Sequence, residues 1–308
     1  MYAAIDIGSN TVLLLVARPS STGAPLLETL HEEQRMPRLG RGVDRSGNLG
    51  GEPVARTLEA LADYRYLLKE EYPDLREVAV TATSAVRDAG NREEFLSRVR
   101  RETGFEVRLL SGPGEAALTY AGATAVLVGE EGTRTTVVDI GGGSTEIARG
   151  TRRLRDRWSL DMGCVRYTER FLSGDPPSPG QAEACREAAR DYLRRELPEG
   201  PFGGRLVGVA GTVTSLGMLD AGLEVYDPYR LNGRRVSLEE TAAWSRLLLE
   251  MSADERAQRW PGFLAGRADI LPAGLLILEA CMEVLGFDAV TVSCGGLRHG
   301  AVREMAGI

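Results

Sequence analysis

The feature that most constrains this chain is a pair of glycine turns, Asp6-Ile7-Gly8-Ser9-Asn10 near the start and Asp139-Ile140-Gly141-Gly142-Gly143-Ser144-Thr145-Glu146 near the middle. Each follows a β-like run, Tyr2-Ala3-Ala4-Ile5 or Thr135-Thr136-Val137-Val138, closes it with an aspartate, turns on glycine and resumes as strand. Glycine lets a backbone reach φ > 0 and approach a ligand with no Cβ in the way. Successive N–H groups in such a turn form a concave anion site, and Ser9, Asn10, Ser144 and Thr145 add side-chain donors. An aspartate beside phosphate oxygens calls for a divalent cation between them, and hard oxygen ligands suit Mg²⁺. The paired turns therefore predict one polyanion gripped from two sides, with phosphate and Mg²⁺ as the chemistry.

Around the first turn the pattern predicts strands at about 2–8, 11–17 and 25–34, an arginine-rich loop, a helix over 52–71, a strand at 76–82, a helix at 91–103, a strand at 105–110 and a short helix from Pro113. Around the second it predicts strands near 134–140, 144–149 and 152–160, helices near 164–172 and 180–196, and a strand at 205–210 followed by helix. Leu271, Leu275, Leu278, Met282 and Leu285 form an apolar stripe that marks a core helix over 265–286, and Ala289 to Ser293 reads as a last strand before a final helix. Three adjacent strands followed by alternating helix and strand, twice over, predict two α/β domains with mixed sheets flanked by helices and a ligand in the interdomain cleft. The junction is expected within 121–131, giving domains of about 1–123 and 124–308, with the last helix, about 297–306, able to pack back on the first.

A chain of 308 residues accommodates two such domains. Its net charge of −7 argues against a general binder of nucleic acid or acidic membrane, so an anionic substrate is held locally. The apolar run from Val12 to Ala17 is too short for a signal segment or a membrane span, and a cytoplasmic location is expected. Cys164, Cys185, Cys281 and Cys294 contain no C-x-x-C pair and are expected to be reduced, mostly buried thiols. With only His31 and His299 as histidines there is no H-E-x-x-H, and acid–base work falls to carboxylates. Lys69 is the one lysine and sits away from any glycine loop, which excludes a Walker A site.

Thr83-Ser84-x-x-Arg87 follows the strand at 76–82, where hydroxyls, N–H groups and a guanidinium could converge on one phosphate. The competing reading is an ordinary helix cap with a solvated arginine. Gly112-x-Gly114-x-x-Ala117 matches a dinucleotide fingerprint in form, but Pro113 stiffens the loop and the acidic partner about 20 residues on is not clearly placed.

Taken in order, Ala4 to Asn10, Ala82-Thr83-Ser84-Ala85-Val86-Arg87-Asp88-Ala89, Ser111-Gly112 through Ala116, Val138 to Glu146, Leu160-Asp161-Met162-Gly163-Cys164-Val165-Arg166, Gly208-Val209-Ala210-Gly211-Thr212-Val213, Ile270-Leu271-Pro272-Ala273-Gly274 and Gly296-Leu297-Arg298 resemble the exopolyphosphatase/guanosine pentaphosphate phosphohydrolase family of the actin, Hsp70 and sugar-kinase superfamily. The resemblance runs nearly end to end. It implies two actin-like (ribonuclease H-like) domains and metal-dependent release of terminal phosphate from inorganic polyphosphate. Guanosine pentaphosphate is the second candidate substrate, and ATP or another phosphorylated nucleotide the third. Mg²⁺ is the implied metal with Mn²⁺ as its alternative, and a homodimer is compatible with the resemblance.

Residue by residue, the resemblance assigns phosphate binding to Gly8, Ser9, Asn10, Thr83, Ser84, Arg87, Gly141, Gly142, Gly143, Ser144, Gly211, Thr212 and Arg298, and metal binding to Asp6, Asp139 and Glu146. Arg166 and Arg267 are further candidates for phosphate. The family segment S-G-x-E-E-A-R appears here as Ser111-Gly112-Pro113-Gly114-Glu115-Ala116-Ala117, which keeps Glu115, the implied activator of water, and replaces two of its neighbours. Those two replacements sustain a rival reading, a binding or sensor protein with the cleft but without efficient chemistry. A kinase or ATPase of the same superfamily is the third. The loop from Arg35 to Arg45 concentrates Arg35, Arg38, Arg41 and Arg45, resembles the family's R-L-G-x-G segment, and reads equally as an extension of the anionic track or as a solvated face.

Overall fold

Strand β1 (Tyr2–Ile7) is buried on both faces, which is why its sequence is almost continuously apolar. Ala3, Ile5 and Ile7 face one core with Leu14, Leu61, Tyr64 and Phe95, while Tyr2 and Ala4 face a second with Leu15, Ala301 and Val302. The computed structural model describes residues 1–21, 25–127, 132–151 and 153–308. After the first glycine turn, β2 (Val12–Pro19) returns antiparallel to β1 with Val12 opposite Ile7, and β3 (Leu27–Arg35) pairs antiparallel with β2.

The chain continues through α1 (Val43–Ser46) and α2 (Gly51–Glu71) to β4 (Glu77–Ala82), which runs parallel to β1 with Ala82 opposite Ile7. Then come α3 (Ser84–Asp88), α4 (Arg92–Thr103), β5 (Val107–Leu109) and α5 (Gly112–Val126). The resulting five-stranded sheet has the order β3-β2-β1-β4-β5.

The second glycine turn joins β6 (Thr135–Ile140) to β7 (Thr145–Gly150), and β8 (Leu154–Leu160) follows. After α6 (Cys164–Phe171) and α7 (Pro179–Glu196), β9 (Arg205–Val209) pairs parallel with β6, so that Val209 stands opposite Asp139. The remaining elements are α8 (Ala210–Ala221), α9 (Pro228–Leu231), β10 (Arg235–Ser237), α10 (Leu238–Leu249), α11 (Ala253–Arg259), α12 (Pro261–Leu264), α13 (Leu271–Leu285), β11 (Ala289–Val292) and α14 (Leu297–Ala306). The second sheet has the order β10-β11-β9-β6-β7-β8. Read from β8, it repeats the first sheet with β10 added at the edge, so the duplicated turn belongs to a duplicated unit.

The chain divides into one unit of Met1–Val128 with Gly295–Ile308 and another of Gly129–Cys294. Helix α14 thus belongs with α5 in the first unit, and their backbones meet closely. A Cβ on Gly122 would overlap the carbonyl of Gly296, and one on Gly300 would overlap that of Leu118. Only glycine at these positions permits that approach. The expected junction ends in residues 128–131, which lie outside the described residues, as does Arg152 at the start of the strand expected at 152–160.

Three expectations change. The helix expected over 265–286 begins at Leu271, because Pro272 is accommodated in a first turn, where its missing N–H costs nothing, and not in an interior. The helix from Pro113 is not short but runs to Val126, with Ser111 capping the N–H of Gly114. Helices α10 and α11, which hydrophobic periodicity did not single out, start at capping boxes, Ser237 with Glu240 and Ser252 with Glu255. That S-x-x-E signal was present in the sequence. Among the described residues no helix is long and apolar enough to cross a membrane.

Candidate functional site

In the first unit, β1 and β4 run parallel and end level, so the chain leaves both at one edge of the sheet. The N–H of Thr83 donates to the carbonyl of Ile7 at 3.3 Å, and the hydroxyls of Ser9 and Ser84 lie 3.1 Å apart. Parallel pairing therefore brings the first glycine turn and the Thr83-Ser84 segment into one buried polar cluster. The turn closes through the N–H of Gly8 on the carbonyl of Thr11 at 2.9 Å. Its outward carbonyls are held by the arginine-rich loop: Gly40 N–H donates to Ser9 O at 2.7 Å and Arg38 N–H to Asn10 O at 3.1 Å. Arg38 adopts φ 59° to do so, a conformation uncommon outside glycine.

Arg87 lies in the last turn of α3, and Glu115 in the first turn of α5. The Arg87 Nη1 donates to Glu115 Oε2 at 3.1 Å and to the carbonyl of Leu110 at 3.1 Å. Glu115 is buried, and its own N–H donates to Ser111 O at 2.9 Å. The structure thus joins two residues that sequence reasoning had given separate tasks.

The second unit repeats the arrangement. Parallel β6 and β9 end together, and the N–H of Gly141 closes its turn on Ser144 O at 3.0 Å. The turn carbonyls are taken up by the start of α6. Cys164 N–H donates to Gly141 O at 2.9 Å, Val165 N–H to Gly142 O at 2.9 Å and Arg166 N–H to Gly142 O at 3.1 Å. The Arg166 Nε donates to Gly143 O at 2.8 Å. Gly163 makes this possible, since a Cβ there would overlap Gly142. Next to it, Ala210 adopts φ 63° where β9 becomes α8, and Thr212 Oγ1 lies 3.4 Å from Ile140 O. Gly274 makes room for Thr212, with a hypothetical Cβ only 2.7 Å from its hydroxyl.

Positive φ is not what Gly8 and Gly141 supply. Neither adopts it, and a Cβ would come within 3.1 Å of Thr11 O and 3.2 Å of Ser144 O, so tight closure of the turn is the requirement. The secondary arginines are each engaged within the chain. Arg298 donates from Nη1 to Leu14 O at 2.6 Å and lies 3.4 Å from Glu32, and Arg267 donates to Gly211 O at 3.1 Å. With Arg166 they hold backbone carbonyls, because a guanidinium enclosed beside a strand end finds an oxygen there before any ligand arrives. Burial pulls the Arg267 guanidinium below its ordinary pKa. The thiols are free, and burial pushes Cys164, Cys185 and Cys281 up to about 12.

Asp139 and Glu146 stand directly opposite each other on β6 and β7, so both carboxylates are on one face of the sheet. Ser159 Oγ donates to Glu146 Oε1 at 2.7 Å. Like charges directly opposite destabilise a strand pair, and a cation beside them removes that cost. Among the described residues no three His, Cys, Asp or Glu gather as a metal group. Mg²⁺ needs no such group, since it keeps several waters and takes one or two carboxylates plus substrate phosphates. The pair therefore fits the ion. Asp6 is the next-to-last residue of β1 in the first unit, with Thr81 Oγ1 3.5 Å from its carboxylate.

A duplicated α/β unit with a glycine turn between its first two strands, and a second polar turn after the adjacent parallel strand, defines the actin-like two-domain class. The Ppx/GppA phosphatase family model matches residues 15–307. Exopolyphosphatase 2 of Mycobacterium tuberculosis is 36% identical over 320 residues, covering 99% of this chain and 98% of its own. The crystal structure of the Aquifex aeolicus Ppx/GppA family member superposes with a TM-score of 0.81 at 33% identity, covering 99% of this chain and 97% of the other. An exopolyphosphatase from Cytophaga hutchinsonii gives 0.87 at 25% identity, with 99% and 97% covered. The chain belongs to the Ppx/GppA phosphatase family. It is a phosphohydrolase, and the family resemblance read from its motifs holds.

Proposed function

We propose that this phosphohydrolase removes the terminal phosphate of inorganic polyphosphate, with Mg²⁺ bound at Asp139 and Glu146. The observation that carries the reading is the part-buried Arg87–Glu115 pair, with Arg87 on the same short helix as Ser84 of the Ser9, Thr83 and Ser84 cluster. Donor hydroxyls, turn N–H groups and a guanidinium are what a phosphoryl group of spread negative charge requires, since catalysis of its transfer is mostly positioning and electrostatic stabilisation. Ser9, Asn10, Thr83, Ser84 and Arg87 bind phosphoryl oxygens in the first unit. The turn from Gly141 to Ser144, with Gly211 and Thr212, does so in the second. Glu115 orients water and takes its proton as the water oxygen bonds to the terminal phosphorus and the bridging P–O bond breaks. The products are orthophosphate and a chain one unit shorter. When bound, Mg²⁺ offsets negative charge on the phosphates.

The relatives named exopolyphosphatase support polyphosphate as the substrate, and guanosine pentaphosphate is the second candidate. Phosphate release measured over polyphosphates of several lengths, guanosine pentaphosphate and ATP, with and without Mg²⁺ or Mn²⁺, tests the reading. Metal-dependent release from polyphosphate is expected. Tight binding without release would replace it with the sensor reading, for which Gly114 and Ala117 beside the base speak, and nucleotide turnover alone would replace it with an ATPase.

A further inference from the structure

We infer that Arg166 is a positioning residue that aims the backbone N–H groups of the second glycine turn at the anion. A peptide unit is planar and trans, so its C=O and the following N–H point in opposite directions. Anchoring Gly141 O on Cys164, Gly142 O on Val165 and Arg166, and Gly143 O on the Arg166 side chain therefore directs the N–H groups of Gly142, Gly143 and Ser144 away from α6. Two of these anchors come from Arg166, and the one on Gly143 is the only one of the four bonds made by a side chain. The bond from its Nε, at 2.8 Å, is of the charge-assisted kind. The first N–H groups of α6, normally an anion site in their own right, are spent on carbonyls here. They act one peptide removed, with the positive end of the helix behind the turn.

The first unit reaches the same end differently. There the backbone N–H groups of Gly40 and Arg38 anchor Ser9 O and Asn10 O. Replacing Arg166 should therefore weaken one cradle and leave the other intact. No contact between Arg166 and substrate is needed. Its effect is on the pre-organisation of three donors, which appears in affinity because unaimed N–H groups must be ordered when the anion binds.

The inference rests on the reading of the 141–144 turn as a phosphate cradle. Its test is steady-state phosphate release together with calorimetric binding of polyphosphate to wild type, Arg166→Ala and Arg166→Lys, with melting temperature recorded for each. Arg166→Ala should raise KM and Kd about tenfold, with a smaller change in kcat. Arg166→Lys, which restores a charged donor but not the fork, should recover part of that loss. A fall in melting temperature with KM and Kd within twofold of wild type would mean a merely structural brace and overturn the inference. If Arg166→Ala does not fold, an Arg166→Lys variant with wild-type KM and Kd and a lowered melting temperature overturns it equally. Wild-type binding without hydrolysis would overturn the proposed reaction and leave the affinity comparison decisive for Arg166. Absence of polyphosphate binding by the wild type would overturn both.

Discussion

A single nitrogen, Nη1 of Arg87, lies 3.1 Å from Oε2 of Glu115 and 3.1 Å from the carbonyl oxygen of Leu110. The guanidinium assigned to phosphate thus also orients the carboxylate assigned to water, and both side chains are mostly enclosed. Removing one partner of such an enclosed pair costs more than breaking an exposed one, because the charge that remains is partly desolvated. With Gly114 and Ala117 beside it carrying no charge, Glu115 takes a cationic partner from α3, the Arg87 guanidinium.

Glu115→Gln keeps the shape and removes the base. Phosphate release from polyphosphate should fall about 10²–10⁴-fold in kcat, with KM little changed. A mutant turning over near the wild-type rate would remove Glu115 from the mechanism.

Arg87→Ala should raise KM by about tenfold or more, the worth of a charge-assisted hydrogen bond, and lower kcat as well, because Glu115 loses its orienting partner. Rates at several ionic strengths should show a flatter salt dependence than wild type. An unchanged KM would restrict Arg87 to holding Glu115.

Ser159→Ala removes the hydroxyl that donates to Glu146. Outer partners of metal-ligating carboxylates typically contribute about 10–100-fold in metal affinity, so the Mg²⁺ concentration for half-maximal activity should rise on that scale while the rate at saturating Mg²⁺ is largely kept. A Mg²⁺ titration superimposable on wild type would count against the Asp139–Glu146 pair as the metal site.

His299 gives the fold an acid sensitivity. It is buried in α14, its Nδ1 has no hydrogen-bond partner among the described residues, and burial pulls its pKa down from 6.5 to about 3. Between those values the unfolded chain takes up a proton that the folded chain refuses, so stability falls as pH drops through that window. Melting temperatures recorded from pH 7 to about 5, above the range where carboxylates titrate, should decline in wild type and decline less in His299→Leu. Parallel curves would show that His299 does not carry the effect.

Much of the architecture was legible because its signals are local. Near-continuous apolar runs, a glycine closing each turn and a polar residue near each strand end specified β1, β2, β6 and β7 with little help from the rest of the chain. Pro272 was equally local, and weighing it against the longer apolar stripe would have started α13 at Leu271. Arginine partners were not legible in this way. Arg87, Arg166, Arg267 and Arg298 look alike in sequence, yet Arg87 pairs with Glu115 and holds Leu110 O, Arg298 lies beside Glu32 and holds Leu14 O, and Arg166 and Arg267 hold the carbonyls of Gly143 and Gly211. A guanidinium on a flexible stem takes whichever oxygen the packed chain places within reach.

The sequence by itself determined the duplicated strand–turn–strand unit and the family, since glycine, hydroxyl and carboxylate chemistry is carried by the residue type and its nearest neighbours. Only the tertiary structure decided that Ser9 meets Ser84 and that Arg87 meets Glu115. It also decided that the carbonyls of the two turns are anchored by segments distant in sequence, residues 38–40 and 164–166. These are consequences of strand pairing and of peptide planes fixed by hydrogen bonds across the fold, which no local pattern encodes.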